Sequence, residues 1–152
     1  MKKQSRIENL ISKFLQLHDR KIDLSLDRIN RLNKDLKINI DNLQAKTVTL
    51  SGTNGKWSTA TTIRSIFEAA GYKVDLFTSP HVQSYTERFI FESKEISEEN
   101  LFDLLSEVES KNNSKPITVF ELLTSAFYFY SASKSKSNVV IAENGLFQRY
   151  DS

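Results

Sequence analysis

The chain has 152 residues, of which 26% are charged and 39% hydrophobic, and its formal net charge is +2. This length accommodates one globular domain with a sizeable core and excludes a second full domain. The small net charge argues against nucleic acid as a partner. The absence of cysteine excludes disulfides and thiolate metal sites and fits a reducing compartment. No apolar run approaches the roughly 20 residues of a membrane span, so we predict a cytoplasmic protein without membrane contact.

The first 45 residues are predicted to be mainly helical. Apolar residues at spacings of three and four predict an amphipathic helix from about Ser5 to His18. His18 ends its apolar face, and nothing nearby in sequence supplies metal partners for it. A second helix is predicted from Ser25, its N-cap, by the spacing of Leu26, Ile29, Leu32 and Leu36. Residues 38–45 are expected to form a polar connection.

A strand, a glycine turn and a helix follow. Residues 46–50 are rich in β-branched and apolar side chains, and helical spacing relates Ala60, Ile63, Phe67 and Ala70. Between them, residues 51–59 read Ser-Gly-Thr-Asn-Gly-Lys-Trp-Ser-Thr. Two glycines allow the backbone to curl, so that several N–H groups converge at the start of the helix, where anions bind. The pattern therefore predicts a site for the phosphates of a nucleoside triphosphate.

Two side chains complete this predicted phosphate site. Lys56 would place a positive charge toward the β and γ phosphates, and the Ser58 hydroxyl is placed to reach a Mg²⁺ held by them. The spacing departs from the common P-loop, because Leu50 stands where a glycine is usual and Trp57 directly follows the lysine. The competing interpretation is a turn that happens to contain Gly and Lys. The flanking strand and helix favour the phosphate site.

A second strand and a long loop come next. Gly71 closes the helix, and residues 72–77 predict a strand, which completes a right-handed parallel unit. A loop from Thr78 to Arg88 then precedes a short alternating strand at residues 89–91. Such loops tend to carry function. His81 and Glu87 in this loop have two open interpretations, either as site residues or as ordinary polar groups of the loop.

The last part of the chain predicts two helices and one more strand. Ser97 is predicted to cap a helix with a buried stripe of Leu101, Leu104, Leu105 and Val108. Thr118 and Glu121 have the spacing of a capping box for a mostly apolar helix from Leu122 to about Ser133.

Residues 137–142 predict a third buried strand that ends at Glu143. Open α/β sheets bind their ligands at the carboxyl ends of parallel strands. Because Ser58 needs an anionic partner to hold Mg²⁺, Glu143 is predicted to reach the metal. The alternative is a solvated acid at a strand end.

Four ordered stretches resemble the dihydrofolate synthase and folylpolyglutamate synthase family of the Mur ligase superfamily. They are residues 22–28, similar to I-D-L-G-L-E-R; residues 51–58 with 69–74, similar to G-T-N-G-K-G-S and its helix; residues 78–81 with 85–88, similar to S-P-H-L-V-R-Y-T-E-R; and residues 118–121 with 143–152, of which the latter are similar to E-V-G-L-G-G-R-L-D-A. The resemblance implies an α/β fold with a three-layer, P-loop-type, mostly parallel sheet flanked by helices. Residues 1–45 would be a helical segment packing on an incomplete ATP-binding domain at residues 46–152, without the C-terminal ligase domain.

The resemblance also implies a set of site residues. ATP would be bound by Thr53, Asn54, Gly55, Lys56 and Ser58, and Mg²⁺ by Ser58, Ser79 and Glu143. Lys56 and Glu143 would be the catalytic residues, and the pterin pocket would be lined by Thr118, Phe120 and Asp151. A carboxylate can accept paired N–H bonds from a pterin edge, and an aromatic ring can stack on its face.

The family reaction activates a folate carboxylate as an acyl phosphate, which the amine of L-glutamate attacks to give an amide, ADP and phosphate. Lys56 and the metal would stabilise charge on the transferring phosphoryl group. The implied cofactors are therefore ATP and Mg²⁺, and the implied substrates are dihydropteroate or a folate together with L-glutamate. The full-length protein is expected to be a monomer.

Three departures from the family pattern affect this comparison. Trp57 replaces a glycine of the phosphate turn, Ser84 stands where arginine is usual, and Phe147 and Gln148 replace two glycines where φ > 0 is expected. Because the family's enzymes carry much more chain, we predict an N-terminal fragment that does not turn over alone. Two other hypotheses are a non-catalytic module that binds nucleotide or folate, and another Mur-type amide ligase. The long loop and residues 118–121 disfavour the latter.

Overall fold

The computed structural model describes residues 6–17, 25–44 and 46–145. Its helices are α1 (Arg6–Leu17), α2 (Asp27–Asp35), α3 (Ile40–Gln44), α4 (Lys56–Ala69), α5 (Glu98–Asn112) and α6 (Val119–Ser133). Its strands are β1 (Thr47–Leu50), β2 (Val74–Phe77), β3 (Phe89–Phe91), β4 (Lys94–Glu95) and β5 (Val139–Glu143). A single 3₁₀ turn, Tyr85–Arg88, precedes β3. The predictions for His18, Phe147, Gln148 and Asp151 lie outside the described residues.

The strands form one mixed sheet in the order β1-β5-β2-β3-β4. β1, β5 and β2 are mutually parallel, whereas β3 and β4 are antiparallel to their neighbours. Leu50 of β1 is in register with Glu143, and Phe77 of β2 with Ala142. The carboxyl ends of the three parallel strands therefore lie together at one edge of the sheet. The predicted mostly parallel sheet is confirmed.

Helices cover both faces of this sheet because its strands alternate their side chains between two apolar cores. On one face Ala60 of α4 packs in a cluster with Val74, Leu76 and Ile141. On the other face Phe77 and Phe127 belong to a larger cluster that joins the sheet to α5 and α6. Helices α1 and α2 pack against α5 and α6 on the outer side of that layer. The predicted three-layer arrangement is confirmed.

Most element boundaries agree with the sequence expectations, with three corrections. Residues 38–45 are not simply a polar connection, since they contain α3, which begins where the Asn39 side chain accepts a hydrogen bond from Asn42 N at 3.0 Å. Helix α6 begins at Val119 and not at Leu122, because the helix starts directly after its N-cap residue. Strand β4 has only two residues and was not predicted.

The predicted caps can be compared with the structure directly. Ser97 caps α5 by accepting from Asn100 N, and Thr118 and Glu121 form the expected capping box. Ser25 lies one residue earlier than the N-cap position of α2, and its Oγ accepts from Asp27 N at 3.1 Å. None of the helices described has the length and apolar character that a membrane crossing requires.

Candidate nucleotide-binding site

The glycine turn between β1 and α4 has the geometry of an anion-binding turn. Gly55, the N-cap of α4, has φ +77°, a left-handed conformation that strains any residue with a Cβ. The amide N–H groups of Thr53, Asn54 and Gly55 have no acceptor within the described part of the chain, and these residues are exposed. Together with the first N–H groups of α4, they form a set of donors at the positive end of the helix dipole.

Lys56 places its ammonium group inside this turn. Its Nζ donates a hydrogen bond to the Gly52 carbonyl at 2.9 Å and lies 3.9 Å from Glu143 Oε1. The lysine side chain is 17% exposed, so the charge is close to solvent while its stem is packed. A positive charge held here lies beside the unused amide groups, and both attract an anion.

Glu143 is the acidic group that closes the site. It ends β5, the strand between β1 and β2, and its side chain is only 4% exposed. Its Oε2 accepts a hydrogen bond from Ser79 N at 3.2 Å, while Oε1 faces Lys56. Asn144 N, directly after β5, donates to Leu50 O at 2.9 Å, so the end of β5 lies beside the start of the phosphate turn. Glu143 is therefore not the solvated strand-end acid of the alternative interpretation.

These donors match the chemistry of Mg²⁺. A carboxylate at Glu143 and hydroxyls at Ser58 and Ser79 are hard oxygen ligands, and Mg²⁺ is usually held by one or two carboxylates together with substrate phosphates. Ser58 lies in the first turn of α4, and its hydroxyl has no hydrogen-bond partner among the described residues. Those residues contain no group of three or more His, Cys, Asp or Glu side chains suited to a metal. The donor set fits Mg²⁺ better than zinc.

Trp57 directs its bulk away from the protein core. The indole is 62% exposed, and it stacks on no other ring in the described part of the chain. The turn keeps the left-handed conformation of Gly55 next to it. Replacing glycine by tryptophan at this position is therefore compatible with the anion-binding geometry of the turn.

The loop after β2 is organised by Glu87. Its carboxylate accepts hydrogen bonds from the amides of Val82, Gln83 and Ser84 at 2.8, 2.9 and 2.9 Å. These backbone hydrogen bonds, that of Val82 first, hold the pKa of Glu87 below its usual value. Of the two interpretations left open for Glu87, the structure supports a polar group that orders the loop.

His81 is held by the far end of the same loop. Its Nδ1 accepts a hydrogen bond from Arg88 Nε at 2.8 Å, and its ring lies 4.1 Å from that of Tyr85. Burial and the neighbouring guanidinium lower the pKa of His81, and burial lowers that of Arg88. His81 is thus a neutral imidazole whose Nδ1 is already in use. It belongs to the packing of the loop.

Thr118 and Phe120 lie at the beginning of α6, on the α5–α6 side of the sheet. The Thr118 hydroxyl accepts a hydrogen bond from Glu121 N at 3.2 Å, and the Phe120 ring lies 6.2 Å from that of Phe77, the last residue of β2. The loop that follows Phe77 reaches Glu143 through Ser79. Asp151, the third residue implied for the pterin pocket, lies outside the described residues.

One feature of this region was missed by sequence reasoning. Glu121 was predicted only as a capping residue, yet Arg28 donates to its carboxylate from Nε at 3.1 Å and from Nη2 at 3.2 Å. The two residues are 93 positions apart, and no local pattern pairs them. The only available signal was that both belong to stretches that carry the family resemblance.

No protein-family model matches the chain, but individual proteins do. The dihydrofolate synthase/folylpolyglutamate synthase of Escherichia coli is 34% identical over 148 residues, which cover 97% of this chain and 34% of that protein. The protein of the same name from Bacillus subtilis is 38% identical over 109 residues, covering 68% of this chain and 25% of that one. The chain thus spans about a third or less of the length of these curated relatives.

Solved structures agree with these relatives. E. coli FolC in complex with DHPP and ADP superposes with a TM-score of 0.83 at 35% identity, covering 97% of this chain and 35% of that chain. A bifunctional folylpolyglutamate synthase/dihydrofolate synthase with Mn, AMPPNP and L-glutamate bound gives a TM-score of 0.83 at 30% identity, with 97% and 35% covered. At these identities the similarity includes the sequence as well as the fold.

Proposed function

Since the chain belongs to the dihydrofolate synthase/folylpolyglutamate synthase family, about a third of whose length it spans, we propose that it carries the nucleotide-binding part of an ATP-dependent acid–amino-acid ligase. The reaction joins L-glutamate to dihydropteroate or a folate. The observation that carries the proposal is the position of Glu143, whose carboxylate meets Ser79 N and the Lys56 ammonium beside the phosphate turn.

In this proposal the turn binds the phosphates of ATP. The amides of Thr53, Asn54 and Gly55 donate to phosphate oxygens, and Lys56 exchanges its contact with the Gly52 carbonyl for one with a phosphate. Lys56 then balances the negative charge that develops when the terminal phosphoryl group is transferred. Phosphate oxygens accept the hydrogen bonds that water makes with these exposed amides in the free protein.

Mg²⁺ is proposed to be held by Ser58, Ser79 and Glu143. When bound, it neutralises charge on the phosphates and positions the terminal phosphoryl group. The main-chain hydrogen bond from Ser79 to Glu143 orients the carboxylate, and the Lys56 ammonium lies 3.9 Å from its Oε1. Glu143 thereby links the turn after β1 to the loop after β2.

The acid substrate is proposed to bind near the start of α6. Phe120 offers a ring face to a pterin, the Thr118 hydroxyl offers a hydrogen bond, and Asp151 offers a carboxylate for the paired N–H groups of the pterin edge. The substrate carboxylate is phosphorylated by ATP, and the amine of L-glutamate displaces phosphate from the resulting acyl phosphate. Support comes from one similar structure that holds DHPP and ADP, and from another that holds AMPPNP and L-glutamate.

We also propose a division into a helical segment at residues 1–45 and an ATP-binding domain at residues 46–152. The protein is proposed to work in the cytoplasm as a monomer when full length, without nucleic acid or membrane partners. The absence of cysteine fits a reducing compartment, and the net charge of +2 argues against nucleic acid as a partner. Light scattering with size-exclusion chromatography tests the monomer directly.

Calorimetric titration tests the ligands. The chain is titrated with Mg-ATP and with dihydropteroate, and ADP release is followed in the presence of L-glutamate. Glu143→Gln is expected to abolish the Mg²⁺ dependence of ATP binding. Glu92→Gln is the matched control. Glu92 also forms an ion pair, with Lys73 Nζ at 2.8 Å from its Oε2, but this pair does not involve the phosphate turn. Mg-ATP binding without ADP release is expected both of a ligase fragment and of the non-catalytic module, and the absence of Mg-ATP binding would contradict the proposal.

A further inference from the structure

The structure places a partly buried ion pair, Arg28 with Glu121, directly behind the residues proposed for the acid substrate. We propose that Arg28 and Glu121 are positioning residues that hold Thr118 and Phe120 in the geometry that binds the pterin part of the substrate. This inference rests on the proposed function, because it concerns the same pocket. Neither Arg28 nor Glu121 is proposed to touch the substrate.

Both oxygens of the Glu121 carboxylate are engaged. Oε2 accepts from Thr118 N at 2.7 Å and from Arg28 Nε at 3.1 Å, while Oε1 accepts from Arg28 Nη2 at 3.2 Å. The Glu121 side chain is 6% exposed and that of Arg28 is 22% exposed. The planar guanidinium meets the carboxylate with two parallel N–H bonds, an arrangement that constrains orientation as well as distance. The carboxylate therefore has little freedom to move.

This restraint is passed to Thr118 through the capping box. Glu121 N donates to the Thr118 hydroxyl while the Glu121 carboxylate accepts from Thr118 N. Since the hydroxyl oxygen is an acceptor in this pair, its proton is available as a donor, and no acceptor for it lies among the described residues. The ion pair thus fixes the position from which Thr118 can donate to a substrate atom.

Phe120 is restrained from both sides. On the sheet side its ring lies 6.2 Å from that of the fully buried Phe77. Its backbone belongs to the first turn of α6, between Thr118 and Glu121, and Arg28 holds this turn through the Glu121 carboxylate. A shift of that turn would move the Phe120 ring and the Thr118 hydroxyl together. A pterin that stacks on the one and bonds to the other would lose both contacts.

The cap alone does not explain this pair. A carboxylate in the first turn of α6 is favoured by the helix dipole and by Thr118 N, and these are enough to begin a helix. Burial of the charge, however, requires a compensating cation. If Arg28 is lost, the Glu121 carboxylate is solvated better when it turns toward water, and this movement breaks its hydrogen bond with Thr118 N. Through Arg28, helix α2 therefore helps to fix the beginning of α6.

Arg31 provides a matched control on the same helix. Its Nη2 donates to Asn112 Oδ1 at 2.7 Å and to the Pro116 carbonyl at 3.3 Å. It therefore ties α2 to the end of α5 and to the connection before α6, and within the described part of the chain it makes no hydrogen bond with Glu121 or Thr118. Replacing either arginine by glutamine removes guanidinium hydrogen bonds between α2 and the rest of the chain, but of the two only Arg28 restrains the capping carboxylate.

The test compares Arg28→Gln, Arg28→Lys and Arg31→Gln in the whole chain by calorimetric titration with dihydropteroate and with Mg-ATP. The contacts with the ligand that Arg28→Gln would disturb are the Thr118 hydrogen bond and the stacking on Phe120, and losing both corresponds to roughly a 10- to 100-fold change in affinity. We expect Arg28→Gln to raise the dihydropteroate Kd by about that factor and to change the Mg-ATP Kd less than about twofold. Arg28→Lys keeps the positive charge but not the paired hydrogen bonds of the guanidinium, so its dihydropteroate Kd is expected to lie between those of the unaltered chain and Arg28→Gln. Arg31→Gln is expected to change neither Kd more than about twofold.

Thermal unfolding and amide hydrogen exchange complete the test. Faster hydrogen exchange of the Thr118 amide in Arg28→Gln than in Arg31→Gln supports the proposal. If Arg28→Gln does not fold, Arg28→Lys takes its place in this comparison. Equal dihydropteroate losses in the two glutamine variants, or equal losses for both ligands in Arg28→Gln, overturn it. If the unaltered chain binds Mg-ATP but not dihydropteroate, this inference fails while the nucleotide site stands. If it binds dihydropteroate but not Mg-ATP, the proposed nucleotide site fails. The dihydropteroate Kd values of the Arg28 and Arg31 variants then still test the role of Arg28.

Discussion

Lys56→Ala is the sharpest test of the phosphate site. In the free protein the ammonium donates to the Gly52 carbonyl at 2.9 Å and lies 3.9 Å from Glu143. With ATP bound, the proposed role gives this ammonium a charged phosphate as acceptor. Alanine removes that contact, and it also removes a positive charge that lies beside both the Glu143 carboxylate and the phosphates. Both effects weaken nucleotide binding.

The magnitude follows from the type of contact that is lost. A hydrogen bond between charged groups contributes about 1.5–3 kcal/mol, and about 1.4 kcal/mol corresponds to a tenfold change in affinity. We therefore expect the Kd for Mg-ATP to rise roughly 10- to 100-fold. The fold should survive, because Glu143 keeps its hydrogen bond from Ser79 N. The loss in the free energy of unfolding should stay near 1–2 kcal/mol, well below the roughly 5–15 kcal/mol of a typical domain.

Titration calorimetry measures this change, and the fluorescence of Trp57 provides a second signal. Trp57 is the one tryptophan of the sequence and directly follows Lys56. Lys46→Ala is the control, since Lys46 Nζ also donates to a backbone carbonyl, that of Ser137 at 3.1 Å, but from the opposite end of β1. An unchanged Mg-ATP affinity in Lys56→Ala, or an equal loss in Lys46→Ala, would refute the phosphate role of Lys56.

Three further predictions concern packing, the loop and the substrate. Trp57→Ala should change the free energy of unfolding by no more than about 0.5 kcal/mol because the indole is 62% exposed, whereas Phe127→Ala, which removes a fully buried ring, should cost about 3–5 kcal/mol in chemical denaturation. Glu87→Gln should lower thermal stability at neutral pH, because the backbone hydrogen bonds that lower the pKa of Glu87 stabilise its ionised carboxylate in the folded protein. This contribution to the free energy of unfolding is present above the usual glutamate pKa and is lost as the pH falls through the lowered pKa. A difference from the unaltered protein that persists in strongly acidic buffer would contradict this. In an active enzyme that contains this chain, Asp151→Ala should raise the KM for the folate more than the KM for ATP, and equal increases would remove Asp151 from the pterin pocket.

The phosphate turn could be predicted because every signal for it is local. The β-branched run before Ser51, the two glycines and the helical spacing after Lys56 lie within one continuous segment. The direction of β1 and α4 then follows from the chain itself. Predicting that Glu143 belongs to the same site required only one further rule, that open α/β sheets bind ligands at the carboxyl ends of their parallel strands. The structure agrees, with Glu143 at the end of β5 and in register with Leu50.

Other features depend on contacts that a local pattern does not contain. Helix α3 has five residues and β4 has two, which is too short for a periodic signal. The interpretation of Glu87 stayed open because its three acceptor contacts are with amides of its own loop, and loop conformation is not encoded in hydrophobic spacing. The pairing of Arg28 with Glu121 depends on how α2 packs against α6, and that is decided by tertiary structure.

The strand order explains why these separate pieces meet. Among the described residues β5 is the last strand in sequence, yet it lies between β1 and β2. Its insertion places Glu143 between two segments that precede it by more than 60 residues, as the separation of 64 from Ser79 shows. Without β5, β1 and β2 would have no common neighbour, and the turn with Lys56 and the loop with Ser79 would share no carboxylate. The pairing of β5 with β1 and β2 and the assembly of the proposed phosphate and metal site therefore depend on the same strand, because β5 also supplies the acid.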